Sequence, residues 1–120
     1  MIKQNWRNIA QMLGYSTTHC LVIEKFMEDK GPLDVYQIQK KLGMSRSLLS
    51  KVLKDLSERG ILERIRSRHR FLYILNENFL YNMYESFVSQ LRRNMDELKD
   101  GNIARQMEKI REHLNKFRGD

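Results

Sequence analysis

The sequence is poor in the features that mark secreted, membrane-bound and disulfide-linked proteins. Cys20 is the single cysteine among 120 residues, so no disulfide can form within the chain. No apolar run approaches the roughly 20 residues that a membrane-spanning helix needs, and the opening residues MIKQNWRNIAQMLG lack the apolar stretch of a secretory signal. We therefore expect a cytoplasmic protein without a membrane partner, whose cysteine is a small buried hydrophobe in a reducing compartment.

Motifs that carry catalysis or bind a metal are also missing. There is no glycine-rich phosphate loop, no His-Glu-x-x-His motif and no serine between the glycines of a nucleophile elbow. His19, His69 and His113 fall on three different predicted elements, which disfavours a metal site. We expect neither an enzyme nor a bound cofactor or metal, and the sequence gives no basis for naming a small-molecule effector.

What the chain does have is positive charge concentrated in one stretch. The formal net charge is +7, and residues 40–70 account for all of it, because acidic and basic residues are equal in number elsewhere. A surface charged for solubility would spread its charge, whereas a surface that binds a polyanion concentrates it. The window holds Asp55, Glu58 and Glu63 against Lys40, Lys41, Arg46, Lys51, Lys54, Arg59, Arg64, Arg66, Arg68 and Arg70.

The apolar spacing predicts mainly helices. At 120 residues, 41% of them hydrophobic, the chain is long enough for one globular domain with a true core. Ser16, Ser45 and the Asp34–Gln37 capping box mark three helix starts. The helices predicted before the midpoint cover residues 5–13, 16–31, 34–42 and 46–59.

A β-hairpin and further helices are predicted after residue 60. Residues 61–66 and 70–75 are rich in Ile, Leu, Phe and Tyr and flank a short polar connection, which favours a hairpin. From residue 77 the pattern is helical, with an interruption at 100–102. We therefore predict one mainly α domain with a small β-hairpin over 1–120, with a core over 14–76 and C-terminal helices over 77–120.

The order of these elements is that of a winged helix-turn-helix, since a short helix, a glycine-containing turn and a longer helix precede the hairpin. The segment GPLDVYQIQKKLGMSRSLLSKVLKDLSERGILER, residues 31–64, resembles the DNA-binding core of MarR-type and TrmB-type transcription regulators. The short chain and its C-terminal helices are most similar to small archaeal Lrs-type regulators. Gln39 departs from the pattern, because such proteins usually carry a small alanine there. The resemblance implies a transcription regulator that binds double-stranded DNA as a homodimer.

Periodicity separates two faces on the fourth predicted helix. At about 100° per residue, four apolar residues share one side, which we expect to face the core. A recognition helix reads bases with its N-terminal residues on the opposite side, where Arg, Lys and Ser can bond base edges. The alternatives are a solvated helix face and, for Leu48, packing under the hairpin. The candidate base readers are Arg46, Ser47, Leu48, Ser50 and Lys51, with Lys54 expected on phosphate.

The predicted hairpin carries Arg64, Arg66, Arg68, His69 and Arg70. A wing of this kind places arginines on phosphates or in a narrow minor groove. The alternative is a charged edge hairpin that resists aggregation, although mixed charges or lysines would serve that purpose.

The terminal helices carry a pattern that predicts dimerisation. Their apolar residues recur at steps of three and four, which is typical of a coiled-coil seam. The alternative is a pair of helices that packs back on its own domain. For function, the alternatives are an architectural DNA-coating protein and a winged-helix module that binds an acidic protein partner. The predicted dimer contacts are Trp6, Ile9, Leu13, Tyr84, Phe87, Leu91, Leu98, Ile103, Met107, Ile110, Leu114 and Phe117.

Overall fold

A computed structural model describes residues 2–118, without the side chains of residues 2, 3, 117 and 118. The chain divides into two compact units, Met1–Glu85 and Ser86–Asp120. The described elements are mainly helical with one antiparallel hairpin, as predicted. In chain order they are α1 Ile2–Met12, α2 Thr17–Glu28, α3 Val35–Leu42, α4 Arg46–Glu58, β1 Leu62–Ser67, β2 Arg70–Leu75, α5 Phe79–Glu97 and α6 Gly101–Arg118.

Side-chain caps set the starts of the three helices in the middle of the first unit. Ser16, Asp34 and Ser45 each accept a hydrogen bond from the backbone N–H three residues further on. At α3 the box is reciprocal, because the Gln37 side chain accepts the Asp34 N–H at 2.9 Å. Gly43 then ends α3 in the left-handed region at φ 67°, a conformation that glycine adopts without steric cost. The predicted caps are confirmed.

The hairpin is attached to the chain segment that enters α3. Its register runs from Leu62 opposite Leu75 to Ser67 opposite Arg70, which leaves a two-residue turn. Leu33 forms an isolated bridge to Tyr73, with N···O distances of 3.0 and 2.8 Å. These two hydrogen bonds hold the hairpin against the start of the helix-turn-helix. The first strand lies one residue further along than the predicted 61–66.

The core of the first unit forms between the helices and the base of the hairpin. On α4 the four apolar residues Leu49, Val52, Leu53 and Leu56 are at most 4% exposed. The predicted division of α4 into a core face and an outer face is therefore confirmed. Gln39, the departure from the family pattern, lies half-buried in an unbroken α3.

A buried carboxylate joins α1 to α2. Glu24 is 4% exposed and accepts hydrogen bonds from Trp6 Nε1 at 2.9 Å and from Arg7 Nη2 at 2.6 Å. The hydrogen bond to Glu24 raises the pKa of the Arg7 guanidinium. The Trp6 ring also meets Phe79 edge-on, with centroids 6.0 Å apart. Trp6, predicted at a dimer contact, is thus buried against partners of its own chain.

Cys20 is 1% exposed, as predicted for a small buried hydrophobe. Burial raises the pKa of its thiol, which lowers the fraction of reactive thiolate at neutral pH. Among the described residues, no helix has the length and apolar character to cross a bilayer. Nor do three potential metal ligands come together anywhere in that part of the chain.

The second unit contains the rest of α5 and all of α6. Arg92 Nη1 donates to Asn115 Oδ1 at 2.9 Å, and Arg111 Nη1 pairs with Asp96 Oδ1 at 2.5 Å. Asp96 follows Arg92 in α5, whereas its partner Arg111 precedes Asn115 in α6. The two helices therefore pack antiparallel. The side chain of Phe117, a predicted dimer contact, lies outside the described residues.

Candidate nucleic-acid interface

The outer face of α4 presents every candidate base reader to solvent. Ser45 caps the helix, and the first residues after the cap, 46–48, are exposed. Leu48 is 44% exposed, so it does not pack beneath the hairpin. This face therefore combines cations, hydroxyls and one apolar side chain, the groups that bond and pack against base edges. The exposed residues are Arg46, Ser47, Leu48, Ser50, Lys51 and Lys54.

One acidic residue on the same helix is neutralised from within the protein. The Asp55 carboxylate accepts hydrogen bonds from His19 Nε2 at 2.9 Å and from Arg59 Nε at 3.0 Å. The Arg59 guanidinium also lies 5.0 Å from the centre of the Tyr15 ring. Arg59 therefore serves the subunit's own structure, and its charge belongs to this network rather than to the outer face of α4.

An aromatic ring organises two of the hairpin arginines. Phe71, 37% exposed, lies opposite Arg66 in the register. The guanidinium carbons of Arg64 and Arg66 lie 4.3 and 5.6 Å from its ring centre. Such cation–π contacts are worth about 0.5–1 kcal/mol each at exposed sites. They place both guanidinium groups beside the Phe71 ring in the absence of a ligand.

The turn of the hairpin places two further candidates at its tip. Arg68 and His69 form the two-residue connection, and both are exposed. Arg68 has φ 56°, the one positive φ among the described residues that are not glycine. An arginine in this region is less favourable than a glycine or asparagine, since its Cβ crowds the backbone. The turn thus carries a cation where backbone geometry would favour a smaller residue.

Arg70 differs from the other hairpin arginines because it is tied to the helix-turn-helix. Its Nη1 donates to Asp34 Oδ2 at 2.7 Å. Asp34 is also the N-cap of α3, so this ion pair braces the hairpin against α3. Only one of the five guanidinium N–H groups is engaged there, and the Arg70 side chain remains 63% exposed.

Two recesses bring helix and hairpin residues together. Arg46, His69 and Arg70 line one recess, at the N-terminal ends of α3 and α4. Ser50, Lys54 and Arg64 line a groove between α4 and β1, together with the carboxylates Glu58 and Glu63. Because those carboxylates oppose the cations, we infer that the most positive potential lies at the start of α4 and the hairpin tip.

The predicted dimer residues fall into three groups by exposure. Trp6 is buried in the first unit's core, as described above. Half-buried ones are Leu13, Leu91, Leu98, Met107 and Leu114. Those with at least 37% of their surface exposed are Ile9, Tyr84, Phe87, Ile103 and Ile110.

The family model for MarR proteins matches residues 9–70, just over half of the chain. The chain belongs to the MarR family. It is accordingly a DNA-binding transcription regulator, since members of this family are regulators and not enzymes. The resemblance read from residues 31–64 is confirmed.

Solved structures share the fold of this MarR-family chain. The ST1889 protein of the archaeon Sulfolobus tokodaii is 18% identical, with a TM-score of 0.62 over 78% of this chain and 94% of its own. A possible transcriptional regulator from Methanosarcina mazei is 17% identical, with a TM-score of 0.58 over 78% and 88%. AbfR of Staphylococcus epidermidis is 19% identical, with a TM-score of 0.55 over 99% and 84%. These likenesses confirm the winged-helix fold, and no curated protein matches the sequence.

Sequence reasoning missed two residues of this surface, Phe71 and Asp34. Phe71 reads as an ordinary strand residue, and only the hairpin register places it beneath two arginines. Asp34 reads as a helix cap, and its ion pair with Arg70 spans 36 positions of the chain.

We predict that Phe71→Leu weakens duplex binding about three- to tenfold, because two cation–π contacts that hold the arginines in place are lost. No charge is removed, so the slope of log K against log salt should stay the same. Fluorescence anisotropy with a labelled duplex at several salt concentrations measures both. Ile65→Ala, on the opposite face of the hairpin, is the matched control and should bind as the wild type does. Equal affinities of Phe71→Leu and the wild type for the duplex would contradict a role for Phe71 in DNA binding.

Proposed function

We propose that this regulator acts as a homodimer that binds double-stranded DNA sequence-specifically. In the proposal, residues 46–59 enter the major groove, and the arginine-rich hairpin over 61–75 lies on the backbone or in the minor groove. The observation that carries it is the outer face of α4, whose cations and hydroxyls are exposed while the opposite face is buried in the core. A helix exposed in this way fits the width of a major groove.

Base reading is assigned to the first turns of α4. Residues near the N-terminus of a recognition helix come closest to base edges. Arg46 and Lys51 can bond guanine O6 and N7, and the exposed Leu48 can pack on a thymine methyl. Ser47 and Ser50 supply adaptable hydroxyls on the same face. Lys54 lies further along and is assigned to phosphate.

The hairpin is assigned mainly to phosphate. Nothing pairs these arginines with particular bases. Phosphate contacts do not depend on base identity, and they fix the orientation of a protein on a duplex. Arg64 and Arg66 are already positioned by their contacts with the Phe71 ring. Arg68 and His69 at the tip reach furthest, so they are the residues that could enter a minor groove.

Dimerisation is assigned to the terminal helices. Regulators of the MarR family bind DNA as dimers, and a two-fold axis would present two α4 helices to half-sites about one helical turn apart. The exposed apolar residues of α5 and α6 support the assignment, because isolated subunits rarely leave such a stripe in water. The half-buried residues beside them would complete the seam.

We predict that the two classes of cation respond differently to sequence. Arg46→Ala and Lys51→Ala should cost about 1–3 kcal/mol on a selected site and much less on a scrambled duplex. Arg66→Ala and Arg68→Ala should weaken both duplexes alike and reduce the salt slope by about 0.9 each. The sites would come from selection of bound genomic fragments, and affinities from anisotropy.

Other outcomes of that experiment would favour one of the two alternative functions or contradict the residue roles. Tight, salt-sensitive binding without preference for any selected site would indicate an architectural coating protein. No binding to any duplex would favour the protein-interaction module. Equal losses for both classes of variant would contradict the roles assigned to α4 and the hairpin.

We predict that Ile103→Asp combined with Ile110→Asp yields a folded monomer, because two carboxylates would be desolvated in an apolar seam. Both residues are more than 40% exposed, so the subunit's own fold should be unaffected. Sedimentation equilibrium gives the mass, and circular dichroism checks the fold. Gln106→Asp, at an exposed polar position of α6, is the control and should remain a dimer. A wild-type protein that sediments as a monomer at micromolar concentration would contradict the proposal.

A further inference from the structure

A recess of about 250 Å³ opens where the N-terminal ends of α3 and α4 meet the hairpin. Its lining combines two arginines, three tyrosine or phenylalanine rings and a histidine. Like Phe71, Tyr36 was not a candidate from the sequence. The lining includes Asp34, Tyr36, Arg46, His69, Arg70 and Phe71.

Tyr36 has no structural task that accounts for its position. It lies in the first turn of α3, and 69% of its surface is exposed. The described residues offer it no hydrogen bond, ion pair or ring contact. A large aromatic side chain held on the surface without partners leaves its hydroxyl free to donate to a ligand.

The recess carries a net positive charge, because its one carboxylate, Asp34, is paired with Arg70 and Arg46 adds a second cation. Asp34 Oδ1 accepts the Gln37 N–H at 2.8 Å, and its Oδ2 accepts Arg70 Nη1 at 2.7 Å. The Asp34 side chain is only 14% exposed. The remaining N–H groups of Arg70 are therefore available, and Arg46 adds a cation that no carboxylate of the described residues pairs with.

We propose that this recess binds one phosphodiester of the DNA backbone, with the Tyr36 hydroxyl and the free N–H groups of Arg70 as donors. A neutral hydroxyl beside a guanidinium is a common pairing for phosphate oxygens, and phosphate contacts of this kind set the register of a protein on its duplex. The inference rests on the proposed function. It adds Tyr36 to the interface. It also gives the ion pair between Arg70 and Asp34 a second role, which is to orient Arg70 toward the DNA backbone.

The position of the recess fits this role. Arg46 lies on its lining and also begins the helix assigned to the major groove. The sugar-phosphate backbones of DNA form the two edges of its major groove. With the first turn of α4 in that groove, a site beside this turn faces the phosphates at the groove edge. Arg46 thus lies at the boundary, where it can read a base while its charge adds to the attraction for the neighbouring phosphate.

The test is Tyr36→Phe in the full chain, which removes only the hydroxyl. Affinity should fall about three- to tenfold on selected and random duplexes alike, because a phosphate contact carries no sequence information. The salt slope should not change, since a neutral donor displaces no counterion. This separates Tyr36 from the hairpin arginines, whose loss lowers the slope. Tyr81→Phe, on α5 and 60% exposed, is the matched control and should bind as the wild type does.

A second measurement locates the phosphate. Single methylphosphonate substitutions along a selected duplex remove one backbone charge at a time. In the wild type, several positions in each half-site should weaken binding, because the hairpin arginines and Lys54 also meet phosphates, and in Tyr36→Phe one of these positions should lose part of its effect. If the wild type binds while Tyr36→Phe binds equally well, the recess is not a phosphate site. A loss confined to the selected sequence would mean that Tyr36 reads a base, which also overturns the inference. A wild type that binds no duplex would instead remove the proposed function itself.

Discussion

Burial of one apolar face of α4 is the constraint on which the DNA-facing surface depends. Leu49, Leu53 and Leu56 are fully buried, and burial of each is worth about 1.5–3 kcal/mol. Exposed ion pairs contribute about 0–1 kcal/mol, so the apolar face and not the charges decides how the helix is rotated about its axis. Once that rotation is set, the residues opposite must face solvent. The cationic surface is thus a consequence of core packing.

Within that surface, the structure divides the basic residues by whether the protein already uses them. Arg59 pairs with Asp55, Lys41 with Asp29, and Arg70 with Asp34. The Lys41 pair fastens α3 to the end of α2, and the Arg70 pair fastens the hairpin to the start of α3. The Arg59 pair lies within the last turn of α4, where Asp55 also meets His19 of α2. Within residues 40–70, the cations that make no ion pair with described residues are Lys40, three on α4 and three on the hairpin, namely Arg46, Lys51, Lys54, Arg64, Arg66 and Arg68. The concentration of charge in residues 40–70 therefore serves two purposes, bracing the fold and presenting free cations.

Local signals made the fold predictable, and long-range contacts limited the prediction of the site. Caps such as Ser45 and the Asp34 box act within three residues, and the apolar period of α4 needs only its own sequence. Phe71 and Tyr36 depend instead on how the hairpin and α3 meet, which periodicity does not encode. The hairpin start was missed by one residue because its turn uses Arg68 at φ 56° and lacks a glycine signal. Trp6 shows a related limit, since an apolar helix residue does not reveal whether its partner lies in its own subunit.

The most direct test of the DNA-facing surface is an NMR titration of the isotope-labelled full chain with a duplex. We expect amide and arginine side-chain shifts to concentrate in three places: the first turns of α4, the hairpin tip, and the start of α3 around Tyr36. The helices of the second unit should change little on DNA addition. Shifts scattered over opposite sides of the subunit, or concentrated on α6, would contradict this expectation.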